Sequence, residues 1–148
     1  MSDERLLAAG AAYRRYFEAM SPETLGGLRA LAAPGLHFRD PFNDLVGADA
    51  VIRSLELGYE HAADMRFEFL DEAWSDRTCY YRWRFFFRPR RFSGGRLWTI
   101  DGMSEVRFDA AGLAVEHLDH WDAASQFYAR LPVLGRLIEL VRRRVAVG

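Results

Sequence analysis

Apolar residues recur along the chain first with a helical period and later with a period of two. Leu6, Gly10, Tyr13, Phe17 and Met20 fall three or four apart, which predicts a helix over about residues 3–20, with Tyr16 on the adjoining edge of its apolar face. Ser21-Pro22-Glu23-Thr24 reads as a fresh helix start, a cap followed by proline at the first helical position. A second helix is predicted from there to about Ala32, stopped by Pro34-Gly35. Leu36, Phe38 and Asp40 alternate with His37 and Arg39 as a short strand, and Pro41 to Gly47 reads as loop. A third helix over about residues 48–61 turns Val51, Ile52, Leu55 and Tyr59 inward.

The second half alternates. Met65, Phe67 and Phe69 oppose Arg66 and Glu68; Cys79, Tyr81, Trp83, Phe85 and Phe87 oppose Thr78, Tyr80, Arg82, Arg84 and Phe86. A strand over about residues 96–108 meets the hairpin signal Asp109-Ala110-Ala111-Gly112, and a last strand runs to Trp121. Asp122 caps a short helix to about Arg130, Pro132 breaks it, and an amphipathic segment covers about residues 133–145. Helices, one early strand, a meander of about four antiparallel strands and a final helix make an α+β domain. A cone-shaped curved sheet is expected, capped by the N-terminal helices, with 1–148 as a single domain and a hollow for a small ligand.

Strand parity selects the polar groups that face the hollow. On the last strand Leu113, Val115, His117, Asp119 and Trp121 share one face, and a carboxylate on such a face costs several kcal/mol unless paired, hydrated or protonated. Ser104 joins Val106 and Phe108, and Asp40 joins Leu36 and Phe38. The inward polar set is therefore Asp40, Ser104, His117 and Asp119, joined from the first helix by Tyr13 or Tyr16. Asp40, Asp119 and His117 are candidate catalytic residues, Tyr16 reads as core on pattern alone, and Tyr13, Phe38, Phe67, Trp83, Ser104 and Trp121 are candidate substrate-binding residues. Asp40-Pro41 reads equally well as a strand-ending turn closed by its own carboxylate.

Composition narrows the chemistry. Half the residues are hydrophobic and aromatics reach 14%, enough for a sizeable core. All 20 basic residues are arginine, so lysine chemistry is excluded. Cys79 stands alone, a buried and inert thiol by expectation, without the spacing of a zinc site. His117 and His120 point to opposite faces, so no shared metal is expected, nor any cofactor. A net charge of -1 gives no bulk attraction to nucleic acid, and Arg88, Arg90 and Arg91 read as a solvated hairpin tip. The acidic N-terminus lacks a signal-peptide pattern, so a cytoplasmic protein is expected. The C-terminal amphipathic segment is expected to pack on its own sheet or on a second subunit, with an anionic membrane surface the less favoured partner.

Three stretches together resemble one family: Phe38-Arg39-Asp40-Pro41, the hairpin Val106-Arg107-Phe108-Asp109-Ala110-Ala111-Gly112, and Leu118-Asp119-His120-Trp121-Asp122. They look like the nuclear-transport-factor-2-like superfamily in its SnoaL-like branch. The resemblance implies a cone-shaped α+β fold and a homodimer formed through the outer sheet face. Similarity to ketosteroid isomerases implies a base at Asp40, an oxyanion-stabilising phenol at Tyr16 and a pocket Trp121; Ser104 stands where those enzymes carry a protonated Asp. Similarity to SnoaL-like cyclases and limonene-epoxide hydrolases implies an acid/base at Asp119. The hydrolases' second Asp has no match in Tyr81-Arg82-Trp83-Arg84-Phe85. The expectation is a cofactor-independent acid–base enzyme of isomerase, cyclase or hydrolase type acting on an apolar small molecule. The alternative is a non-catalytic dimeric binder or scaffold.

Overall fold

In a computed structural model, which describes residues 2–148, the chain forms the expected α+β fold. Helix α1 (Ser2–Glu18) is followed by a 3₁₀ turn (Leu25–Gly27), α2 (Leu28–Leu31), β1 (Ala32–Arg39), β2 (Asp44–Val46) and α3 (Ala48–His61). Strands β3 (Ala62–Ser75), β4 (Thr78–Pro89), β5 (Trp98–Phe108) and β6 (Ala114–Trp121) follow. The chain closes with α4 (Ala123–Gln126), a 3₁₀ turn (Tyr128–Arg130) and α5 (Pro132–Val145). The strands make one sheet in the order β2-β1-β6-β5-β4-β3. The last four form the predicted antiparallel meander, while β1 lies parallel to β6.

Two features of the first half depart from the sequence pattern. The second helix shrinks to a 3₁₀ turn and one α-helical turn, because Gly26-Gly27 weakens helix propensity where the chain would have to propagate it. The freed residues extend β1 back to Ala32. Pro34-Gly35 fits inside the strand because pairing with β6 shifts register between Ala32 and His37, where no ladder hydrogen bond is demanded. The predicted loop 41–47 contains the short edge strand β2, held by the turn at Asp40.

Helix α1 docks on the sheet through its apolar face, with Leu6, Tyr13 and Phe17 buried. Gly10 permits the approach: a Cβ there would sit 2.5 Å from the Trp74 ring, and the Tyr81 hydroxyl donates to the Gly10 carbonyl at 2.7 Å. Phe67, Phe85 and Phe87 stack with centroids 4.5 and 5.1 Å apart, building an aromatic wall across β3 and β4. Cys79 is buried, as expected, and burial pushes its thiol up to about 12.

The phase of β6 decides what the site contains. Arg107 pairs with Glu116, but Phe108 pairs with Ala114, so Val115 is an extra residue in a bulge. The expectation that Leu113 and Val115 share the inner face is therefore overturned: Ala114 is fully buried and takes that place, and Val115 is only partly covered. Downstream of the bulge the predicted phase stands, with Val106 opposite His117, Ser104 opposite Asp119 and Gly102 opposite Trp121.

Candidate active site

Pairing of β5 with β6 places Ser104 and Asp119 side by side on the inner face, and strand alternation places His117 beside Asp119. His117 Nε2 lies 2.7 Å from Asp119 Oδ1, and the Ser104 hydroxyl donates to the same oxygen. The Trp83 indole N–H donates to Ser104 Oγ at 2.8 Å. The Tyr13 hydroxyl meets His117 Nδ1 at 2.7 Å. One arrangement of protons uses every group: Tyr13 O–H donates to Nδ1, and the imidazole N–H sits on Nε2 and donates to Asp119. Five residues from α1, β4, β5 and β6 thus form one connected polar chain inside an apolar core. His117 is buried, its ring 4.8 Å from that of Phe38 and 5.5 Å from that of Phe17.

Asp119 is the open end of this chain. Its side chain keeps 17% exposure against 5% for His117. Oδ1 receives both donors, and Oδ2 has no hydrogen-bond partner among the described residues. Asp119 lines a cavity of about 20 Å³ together with Tyr13, Phe67, Phe69, Trp83 and Ser104, while Arg14 stands at the rim paired with Glu18 and Glu72. That volume is close to one water.

Of the sequence candidates, Tyr13, Phe67, Trp83, Ser104, His117 and Asp119 meet at the cavity. Phe38 stays one layer behind, against the His117 ring. Three others point elsewhere. The Tyr16 hydroxyl donates to the Leu25 carbonyl at 2.8 Å, stapling α1 to the following turn. Trp121 is half-buried and packs against exposed Phe42 at 5.5 Å. Asp40 Oδ1 accepts from the backbone N–H groups of Phe42 and Asn43 at 2.8 and 2.7 Å, closing a turn around Pro41. Burial raises the Asp40 carboxyl, those backbone donors oppose the rise, and the charge of Asp119 adds to it.

Sequence reasoning passed over Arg14, Phe17, Phe69, Tyr81 and Val106, which also line the cavity. For Phe69 and Tyr81 the signal was present, since each shares a strand face with a named candidate. For Arg14 there was none, because only the docking angle of α1 brings its side chain to the rim. His120 lies on the opposite face from His117 and pairs with Glu105 at 3.3 Å. Among the described residues no cluster of three or more His, Cys, Asp or Glu is placed to hold a metal.

Burial raises the phenols of Tyr13, Tyr59 and Tyr81 above their ordinary value of 10.0 and that of Tyr16 to about 12. A raised folded-state value stabilises the fold fully below the unfolded value, and that contribution is lost as pH rises through the folded value. The melting temperature is therefore expected to hold up to about pH 10 and fall toward pH 12, read by thermal melts across that range. A melting temperature unchanged from about pH 10 to pH 12 would contradict it.

The chain matches the model of the SnoaL-like domain over residues 13–117, which span β1 to β5 and reach the site at both ends, from Tyr13 to His117. No curated protein matches it. Solved structures similar to it include an LEH-like epoxide hydrolase from M. tuberculosis, with a TM-score of 0.67 at 12% identity, covering 96% of each chain. A protein of ketosteroid isomerase-like fold from Catenulispora acidiphila, solved with trimethylamine, has a TM-score of 0.69 at 11% identity, covering 84% of this chain and 93% of that one. A candidate SnoaL-like polyketide cyclase from Shewanella denitrificans has a TM-score of 0.65 at 15% identity, covering 82% and 95%. At these identities the likeness is one of fold. The family match, extending over most of the chain and both ends of the polar site, shows that the protein belongs to the SnoaL-like domain family.

Proposed function

We propose that this protein is a cofactor-independent enzyme that moves a proton on a small apolar molecule, with Asp119 as the single acid/base. The observation that supports it is the asymmetry of that carboxylate: Oδ1 is held by Ser104 and His117, and Oδ2 has no partner among the described residues beside an aromatic cavity. Two donors on one oxygen fix the carboxylate's plane, and Trp83 and Tyr13 fix the donors in turn. A base so held meets its substrate in one orientation.

The chemistry that suits one base is abstraction of a proton next to a carbonyl. Oδ2 takes the proton, the C–H electron pair becomes an enolate, and Asp119 becomes the neutral acid. Return of the proton to another carbon isomerises the substrate; attack of the enolate carbon on a second carbonyl closes a ring, with the proton passing to the new alkoxide. Ring closure is the chemistry named for one neighbour, the SnoaL-like polyketide cyclase above, and the isomerase likeness of another is one of fold. Arg14, which lines the cavity while paired with Glu18 and Glu72, is the cation assigned to a developing oxyanion. Asp40, closing its turn, acts on Asp119 through charge alone. Admission of anything larger than water requires lining side chains to move, a movement assigned to Phe67 and Phe69, both half-buried on β3.

Small cyclic ketones incubated with the protein in heavy water provide the test, read as deuterium exchange at the α-carbon by NMR. Exchange above the solvent rate that is lost in Asp119→Asn supports the assignment; the same rate in both proteins refutes it and leaves the polar chain as a structural brace. The two tyrosines are expected to separate. Tyr13→Phe leaves His117 Nδ1 unpartnered, costs about 1–3 kcal/mol of stability and slows exchange. Tyr16→Phe removes a bond to the Leu25 carbonyl and is expected to leave exchange within twofold (roughly 0.4 kcal/mol) of the parent. Equal slowing by both would place Tyr16 in the reaction.

A further inference from the structure

The C-terminal helix is turned the wrong way for packing on its own domain. In α5, Gly135 is buried against the Ala129 carbonyl, where a Cβ would sit 2.3 Å from the oxygen, and Ile138 and Glu139 are half-buried on the same side. Val133, Leu137 and Val141 form a stripe four residues apart on the other side, exposed by 83, 56 and 55%, and Leu140 and Val145 beside them are exposed as well. The expectation that this segment packs on its own sheet is overturned, because backbone contact at Gly135 sets the helix rotation and points the apolar stripe outward.

Charge is segregated to the same region. Segments 85–100 and 123–148 hold nine of the 20 arginines and one of the 21 acidic residues, a formal +8 that three bordering acids, Asp64 paired with Arg88, Asp101 bonded to Gln126 and Asp122 capping α4, offset in part. The β4–β5 hairpin tip adds exposed Phe92 and Leu97. An open cleft lined by Phe92, Arg96, Leu97, Trp98, Thr99 and Arg130 joins that tip to the residues just before α5. Arg130 is held there by the Thr99 carbonyl at 3.0 Å and by the Trp98 ring at 5.2 Å.

We propose that α5 and the neighbouring hairpin tip form a docking surface for an anionic lipid bilayer, with α5 lying in the interface. The stripe of α5 buries among acyl chains while Arg136, Arg142 and Arg143 meet lipid phosphates and Arg144, on the stripe itself one turn past Leu140, snorkels to them. Two other occupants fit less well. A second copy would have to offer an apolar face, and among the described residues other exposed large apolar side chains are scattered: Leu7, Phe42, Val46, Leu57, Leu70 and Met103, on five elements and the turn after β1. Pairing of α5 with itself would bring arginines to arginines, since Glu139 is its one acidic residue. A nucleic acid matches the charge and gives the aliphatic stripe nothing to bury in. No helix of the described residues is long and apolar enough to cross a membrane, so the contact is superficial.

The test is co-sedimentation of the full chain with vesicles of phosphatidylcholine alone and of equal parts phosphatidylcholine and phosphatidylglycerol. Binding is expected to the anionic vesicles only and to weaken with salt. Leu137→Glu with Val141→Glu, at exposed positions, is expected to weaken it by about tenfold or more with an unchanged circular dichroism spectrum. Arg142→Gln, Arg143→Gln and Arg144→Gln together are expected to do the same with the stripe intact. Three results would overturn the proposal: no binding to anionic vesicles, a lipid-free dimer that the Leu137/Val141 variant splits, or binding to duplex DNA that the arginine variant abolishes and the stripe variant does not.

Discussion

Asp119→Asn is expected to slow turnover of a substrate identified by the exchange screen by about 10²–10⁴-fold, the usual worth of a positioned acid/base. The substitution is nearly isosteric. The asparagine oxygen can still accept from Ser104 and His117, so the polar chain closes as before, but an amide nitrogen replaces Oδ2 and cannot take a proton. A lowered kcat with a melting temperature close to the parent's is the expected pair of readings. Turnover within twofold of the parent would remove Asp119 from the mechanism. Asp119→Leu makes the contrast. It strands the buried Ser104 and His117 donors, each at about 1–3 kcal/mol, so stability falls together with activity.

Gly102→Ala is expected to be the most damaging single methyl in the sheet. Gly102 lies on β5 opposite Trp83 of β4 and Trp121 of β6. A Cβ there would meet two Trp83 ring atoms at 2.5 and 2.7 Å and the Trp121 Cβ at 3.0 Å. Ring and backbone-proximal atoms cannot swing aside as a flexible tip can. Such overpacking costs about 1–3 kcal/mol, or roughly 3–12 °C in melting temperature for a chain of this size. Moving Trp83 also breaks its bond to Ser104, so activity should fall even at temperatures where the variant is folded. Thermal melts combined with the exchange assay read both effects. An unchanged melting temperature would show that Trp83 is free to relocate and that its bond to Ser104 is dispensable.

Both predictions depend on strand phase, and strand phase was partly legible in the sequence. Alternation placed Cys79, Tyr81, Trp83 and Phe87 on the inner face of β4, where all four are buried. It brought Ser104, His117 and Asp119 to one face because the bulge at Val115 lies upstream of them. A bulge leaves no mark in a run of residues; it arises from the fit between paired strands, so Leu113 and Val115 were misplaced. Edge strand β2 was missed for a similar reason. Three residues carry no period, and they form a strand only because the Asp40 turn returns them to β1.

The partition within the candidate site follows the same rule. Parity says which face a side chain takes, not whether a nearer partner claims it first. Asp40 and Tyr16 carry the right groups, yet backbone groups two to nine residues away hold both. Tyr13, expected to face the hollow as a substrate-binding residue, completes the polar chain instead, because the rotation of α1 about Gly10 aims its hydroxyl at His117.

By itself the amino-acid order determined the helical and strand periods, the aromatic core and the inner face shared by His117, Asp119 and Ser104. These properties are local, set by side-chain spacing along one chain direction. Only the tertiary structure decided which hydroxyl reaches His117, which carboxylate keeps a free oxygen, how little space lies beside it, and that α5 turns its apolar stripe outward. Those outcomes depend on the angles and close approaches between elements, which contacts such as Gly10 on Trp74 and Gly135 on Ala129 set across the fold.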